Sequence, residues 1–191
     1  MTGTMIAIII GCVIMAIIAF VWITYNGLVR LNEQVNEAWS DITVQLKYRA
    51  DLIPNVIETV KGYAKHEKEA FKDVTEARAQ ALGAKNVKSA AAAEDALTAS
   101  LSKIFAIAEA YPELKANENF KELQRQLQDV EDKLQAARRF YNTGAKDLNV
   151  KMKIFPSNLF AQSLGFKVRE YFEVKESEAA KIAEAPEVKF D

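Results

Sequence analysis

One histidine, His66, and one cysteine, Cys12, are all the chain offers for imidazole or thiolate chemistry. His66-Glu67 opens like a His-Glu-x-x-His zinc helix, in which two imidazoles one turn apart hold the metal. The second ligand position is Ala70, so the motif fails there. A dinuclear carboxylate site between helices needs Glu-x-x-His pairs from two helices, which a lone histidine cannot supply. Cys12 lies inside an apolar run, so the soluble part has neither a disulfide nor a thiolate metal site, and no base accompanies a nucleophile. Gly83 and Gly144 stand alone, outside any glycine-rich phosphate loop. Most carboxylates sit opposite apolar stripes, as solvated helix faces do. We therefore expect no catalytic residue, no metal ligand, no cofactor and no small-molecule substrate. The balance of 25 Lys+Arg against 26 Asp+Glu further argues against a nucleic-acid partner.

The elements carry more information than the reactive groups. Residues 5–23 contain no charged side chain and span enough length to cross about 30 Å of hydrocarbon as a helix. Met5, Ile9, Ile14, Ile18 and Trp22 mark this candidate membrane anchor. The run exceeds the roughly 7–15-residue core of a cleavable signal peptide, and neither a preceding cation nor a following small-x-small site accompanies it. A buried core helix is the competing reading. The expected organisation is an anchor at 1–24, a helical bundle domain at 25–174 and a C-terminal tail at 175–191.

Beyond the anchor, Leu28, Val35, Ile42, Val56 and Tyr63 form one heptad row, and Trp39, Leu46, Ile53, Val60 and Val74 form its neighbour. The register passes through Pro54, which reads as a kink in one helix reaching Leu82. The alternative ends a helix at Ala50 and places Pro54 in the first turn of the next. A second helix is expected over residues 89–111, with Ser89 as cap and Pro112 as stop. The third follows Phe120, Leu123, Leu127, Val130, Leu134, Ala137, Tyr141, Ala145, Leu148 and Met152, with Leu127 and Leu134 in the core and Glu131 on the outer face. Pro156 stops it, a short helix follows, and Gly165 closes that helix. Residues 175–185 read as a frayed helix and 186–190 as extended tail. The fold class is all-α: a transmembrane helix continuing into an elongated antiparallel bundle of three long helices, with a short C-terminal helix and an extended tail.

Polar residues interrupt this pattern in two places. Arg49 falls in the apolar row, with Asp51, Pro54 and Asn55 nearby. These residues form either a polar contact that fixes helix pairing or, the favoured reading, a local cluster satisfying the carbonyl that Pro54 leaves unpaired. Arg138, Arg139, Lys146, Lys151 and Lys153 read as cations at a helix C-terminus, complementing its dipole rather than meeting anionic lipid. The aromatic run Phe155-Pro156-Ser157-Asn158-Leu159-Phe160, with Phe166 and Tyr171-Phe172, reads as a cap folded onto the bundle.

Several ordered motifs resemble the LemA family of bacterial membrane proteins. They are Tyr25-Asn26-Gly27-Leu28-Val29, Glu37-Ala38-Trp39-Ser40-Asp41-Ile42, Asp51-Leu52-Ile53-Pro54-Asn55-Val56, and Val60-Lys61-Gly62-Tyr63-Ala64-Lys65-His66-Glu67. Ala137-Arg138-Arg139-Phe140-Tyr141-Asn142, Asn149, Phe155-Pro156-Ser157-Asn158 and Gly165-Phe166 extend the likeness over nearly the whole chain after the anchor. Thr43 departs from it, standing where the family usually has Asp. The resemblance implies one membrane helix and a long-helix bundle with no established catalytic residue. A relative in magnetosome membranes implies membrane organisation.

The functional expectation is a non-catalytic, single-pass helical scaffold that self-assembles or organises partners at a bacterial inner membrane. An adaptor or sensor for another membrane protein, such as a protease or signalling kinase, is the alternative. Arg30 after the anchor and no cation before it place the soluble domain in the cytoplasm. A first helix of about 80 Å would outrun its partners, leaving Leu28, Val35, Trp39 and Ile42 to pack against another copy; the alternative is that the C-terminal segment from Phe166 folds down over them and keeps the protein monomeric.

Overall fold

The computed structural model describes residues 2–173, and the expected tail at 175–191 lies outside the described residues. Five helices occur in the order α1 (Thr2–Lys61), α2 (Lys68–Gly83), α3 (Val87–Glu109), α4 (Pro112–Ala116) and α5 (Glu118–Lys153), followed by a 3-10 turn at Ser157–Leu159. No strand occurs among the described residues. The all-α expectation holds, with one long helix carrying both the apolar N-terminal segment and the first wall of the bundle.

The first helix ends much earlier than its heptad suggests. Instead of reaching Leu82, α1 stops at Lys61, and the chain reverses so that α2 folds back beside it. The Val60 carbonyl accepts from both Tyr63 N (3.0 Å) and Ala64 N (2.9 Å), and buried Ala64 pins the turn. The next helix opens at Lys68, one heptad after Lys61, so the apolar phase survives the reversal and periodicity alone cannot detect it. Gly62, a weak helix former, was the available signal.

Pro54 lies within α1 and does not end it. A proline ring has no N–H, so the Ala50 carbonyl four residues earlier loses its helical donor. Arg78 Nε, on α2, donates to that carbonyl at 2.7 Å. The satisfying group therefore comes from another helix, not from the expected local cluster. Asp51 pairs instead with exposed Lys47 at 2.5 Å, and the Asn55 carbonyl accepts from Thr59 Oγ1 at 2.8 Å.

α3 begins two residues before the expected cap. Asn86 Oδ1 accepts from Ser89 N at 2.8 Å while Ser89 Oγ accepts from Asn86 N at 3.2 Å, a reciprocal capping box in which Ser89 is the third helical residue. Asn117 caps α5 through Phe120 N at 3.0 Å. Leu127 and Leu134 are buried, as their phase requires, and Gly165 closes the short turn with φ of 88°.

Two apolar cores result. The distal one draws on α1, α2, α3, α4 and α5 around Ile53, Val60, Val74, Leu97, Ile104 and Val130. The other runs along α1 and α5 toward the apolar segment and includes Leu28, Val35, Ile42, Tyr141, Leu148 and Phe172.

Candidate functional site: a charged junction and an asparagine-clamped seam

Beyond the apolar segment α1 rises only about 55 Å, and α5 at 36 residues is about as long. The two helices therefore pair along their whole shared length. Leu28, Val35 and Ile42 are completely buried, and Trp39 is partly buried between Tyr141 (ring centroids 6.1 Å apart) and Phe172 (6.5 Å). This corrects the expectation of an unpartnered stripe awaiting a second copy. The chain covers those four residues itself, because the helix that was to outrun its partners turns back at Gly62. At Gly144 the helices come so close that an added Cβ would lie 3.3 Å from Val35 Cγ2.

Alongside α1 and α5, with only the first turns of α3 reaching this core through Val87 and Ala90, residues 166–173 complete the wall as non-helical chain, and their backbone groups need partners. Two asparagines of α5 supply them. Asn149 donates to the Arg169 carbonyl and accepts from Arg169 N, both at 2.8 Å. Asn142 donates to the Phe172 carbonyl at 2.9 Å and accepts from Phe172 N at 2.8 Å. The spacings match: seven helical residues cover about 10.5 Å, and three extended residues cover about 10 Å. Tyr141 adds a third tie by donating to the Glu170 carbonyl at 3.0 Å, and burial raises its phenol pKa. Arg169 closes the clamp on α1, donating to Asn32 and Asn36 at 2.8 Å each.

A buried charge cluster sits where the seam meets the distal bundle. Arg49 Nη1 lies 3.2 Å from Glu94 Oε1 on α3 and 3.0 Å from Glu131 Oε2 on α5, and Arg49 Nη2 donates to Thr98 at 3.0 Å. Glu94 also pairs with Arg138, whose guanidinium stacks 5.4 Å from the Phe172 ring centroid. Burial lowers the Arg49 pKa, against the opposing pull of the Glu131 carboxylate. Two cations and two anions thus join α1, α3, α5 and the C-terminal segment at one point. Of the four expected polar residues, Arg49 alone takes part; Asp51, Pro54 and Asn55 are exposed. Glu131 is not an outer-face residue, and Arg138 is not helix-end chemistry, although Lys151 and Lys153 do occupy the last turn of α5.

The matching family model, described as the LemA family, covers residues 38–190. The chain belongs to the LemA family. It is 23% identical over 188 residues to magnetosome protein MamQ 2 of Paramagnetospirillum magneticum, across 85% of this chain and 69% of the relative. It is 22% identical over 191 residues to magnetosome protein MamQ of Magnetospirillum gryphiswaldense, across 85% and 70%. A protein LemA of Metamycoplasma hominis is 26% identical over 162 residues, across 82% and 72%. In this LemA chain the motif at 137–142 delivers Arg138 to the junction and Asn142 to the clamp, while Asn149 is the other half of that clamp.

Glu94, Arg78 and Arg169 carry no sequence signature of their roles, and Asn142 and Asn149 stand in the family motifs with no role that the motifs reveal. Glu94 lies four residues after Ala90 and three before Leu97, at core phase in its helix, and Asn149 lies between Ala145 and Met152 in the same manner. A polar residue at an apolar phase was the available signal of burial, not of role. His66 is exposed, and no group of three or more His, Cys, Asp or Glu among the described residues could hold a metal ion.

At the other end of the molecule, an 18-residue window of α1 is long and apolar enough to cross a membrane, with none of it buried within the protein. Met5, Ile9, Ile14, Ile18 and Trp22 all expose more than half of their surface.

Proposed function

We propose that this chain is a membrane-anchored, non-catalytic helical scaffold that organises partners at a bacterial inner membrane, with its folded domain on the cytoplasmic side. The carrying observation is mechanical. One uninterrupted helix is both the apolar segment and the central wall of the bundle, and α5, the clamp and the junction hold it rigidly to everything else. A domain coupled this way has its height and orientation set by the span, with no flexible linker between them. Charge pairs that tie helices to one another and an apolar core suit a device that positions other molecules better than one that transforms them. The relatives named as magnetosome proteins support a role in organising a membrane-associated structure.

Full-length protein extracted in detergent, measured by native mass and paired with crosslinking in cells, tests the scaffold. One complex of reproducible stoichiometry, lost when residues 2–23 are deleted, is the expected result. A monomer that crosslinks to nothing in cells overturns it. A cysteine introduced at Gln80, with Cys12→Ala, reports the side. Labelling by a membrane-impermeant reagent in intact spheroplasts would reverse the orientation.

A further inference from the structure

The turn after α5 exposes several large apolar side chains within eleven residues of chain. Phe155 is 77% exposed and Leu159 71%, and Ile154 and Leu164 are also exposed. The turn lies between the descending α5 and the ascending residues 166–173, so it forms the end of the bundle nearest the apolar span. Phe160 makes an edge contact with Phe20, at 6.4 Å between ring centroids, and Phe166 contacts Tyr25 at 5.9 Å.

These contacts fix its depth. Phe20 lies three residues inside the end of the apolar run, about 4.5 Å along the helix axis. A ring packed against it stands at the boundary between hydrocarbon and headgroups whenever α1 spans the bilayer. We propose that residues 154–164 form a second, interfacial membrane attachment, in which Phe155 and Leu159 enter the leaflet from which α1 emerges. The inference rests on the reading of α1 as a membrane span.

Two further features suit that setting. Backbone polar groups are costly to bury in lipid without partners, and this turn pairs many of its own. The N–H groups of residues 158–161 and 164–166 donate to carbonyls within 154–162, from Asn158 to Ile154 at 3.0 Å through Phe166 to Ala161 at 3.2 Å. Lys153 immediately precedes the apolar group and Lys167 follows it, both exposed, so their ammonium groups can lie among lipid phosphates while the side chains between them point deeper. Two attachment points would hold the bundle against rotation about the axis of α1, which a single helix cannot do. The occupant is the bilayer and not a partner protein, because the turn packs through Phe160 against Phe20 of the apolar segment that the span reading places in lipid.

Spin labels test this in full-length protein carrying Cys12→Ala, reconstituted in vesicles of phosphatidylcholine and phosphatidylglycerol. Labels at Leu159→Cys and Phe155→Cys should show an oxygen-to-nickel-chelate accessibility ratio severalfold above that at Glu113→Cys on distal α4, approaching that at Ile18→Cys. A ratio at Leu159 equal to that at Glu113, with Ile18 still reading as lipid, overturns the attachment while leaving the span intact. A low ratio at Ile18 overturns the span itself. A label at Leu159 that is immobilised and inaccessible to both reagents shows a protein partner at the turn and also overturns the proposal.

Discussion

The distal bundle and the membrane-proximal seam hold the same helix α1 by different means. Distally, α1 shares a core with segments of the other four helices, and that core is almost wholly aliphatic and aromatic. In the seam α1 and α5 are joined only by the first turns of α3, at Val87 and Ala90, and the remaining wall is non-helical chain whose backbone is satisfied by Asn142, Asn149 and Tyr141. Where a third helix is present its backbone satisfies itself, and apolar side chains suffice. Where chain outside a helix forms the wall, polar side chains at core positions take over, and sequence-specific hydrogen bonds replace area. The Arg49 junction marks the border between these regimes and ties them together.

Cutting the junction should have a large effect. Arg49→Ala leaves the part-buried Glu131 without its pair and buried Glu94 with Arg138 alone, and should destabilise the full-length protein by about 3 kcal/mol. Chemical denaturation in detergent micelles measures this. Glu131→Ala sharpens the point: an outer-face residue would tolerate it, whereas the observed pair with Arg49 predicts a clear fall in the midpoint.

Leu97→Ala and Leu134→Ala probe one fully buried leucine in each core, and each should cost about 2–5 kcal/mol through lost transfer energy and a cavity. If the junction couples the two regions, each variant lowers one common transition. Two separated transitions would show that seam and bundle unfold independently.

Asn149→Leu removes both bonds to Arg169 and should cost about 1–3 kcal/mol, leaving backbone groups unpaired. Limited proteolysis should then cut within 166–173 sooner, while the rate of cleavage at the α2–α3 turn is unchanged. Equal acceleration at both places would mean the clamp is not local to the seam.

The smallest effect concerns the distal surface. Hydrogen bonds from Arg125 and Gln126 hold the Glu122 carboxylate pKa down to about 2. A depressed folded-state pKa stabilises the fold above the unfolded-state value of about 4.3, and the contribution is lost as pH falls toward 2. Because the pair is exposed, Glu122→Gln should flatten the acid limb of the stability profile only slightly. A large change would place Glu122 in the core rather than on the surface.

Local patterns made the apolar span, the α5 stripe with Leu127 and Leu134, the stop at Pro156 and the αL glycine at Gly165 legible, because each depends on nearest neighbours along the chain. The all-α class and the continuation of α1 past Pro54 follow from the same periodicity. The reversal at Gly62 was hidden because the turn returns the heptad to phase, and that one miss generated the error of an unpartnered first helix. Which residue answers Arg49, which guanidinium replaces the N–H missing at Pro54, and which asparagines hold residues 166–173 were settled only in three dimensions. Those partners lie 20 to 82 positions apart in the chain. Periodicity reports the face a residue occupies, and only the packing of helices decides what stands opposite it.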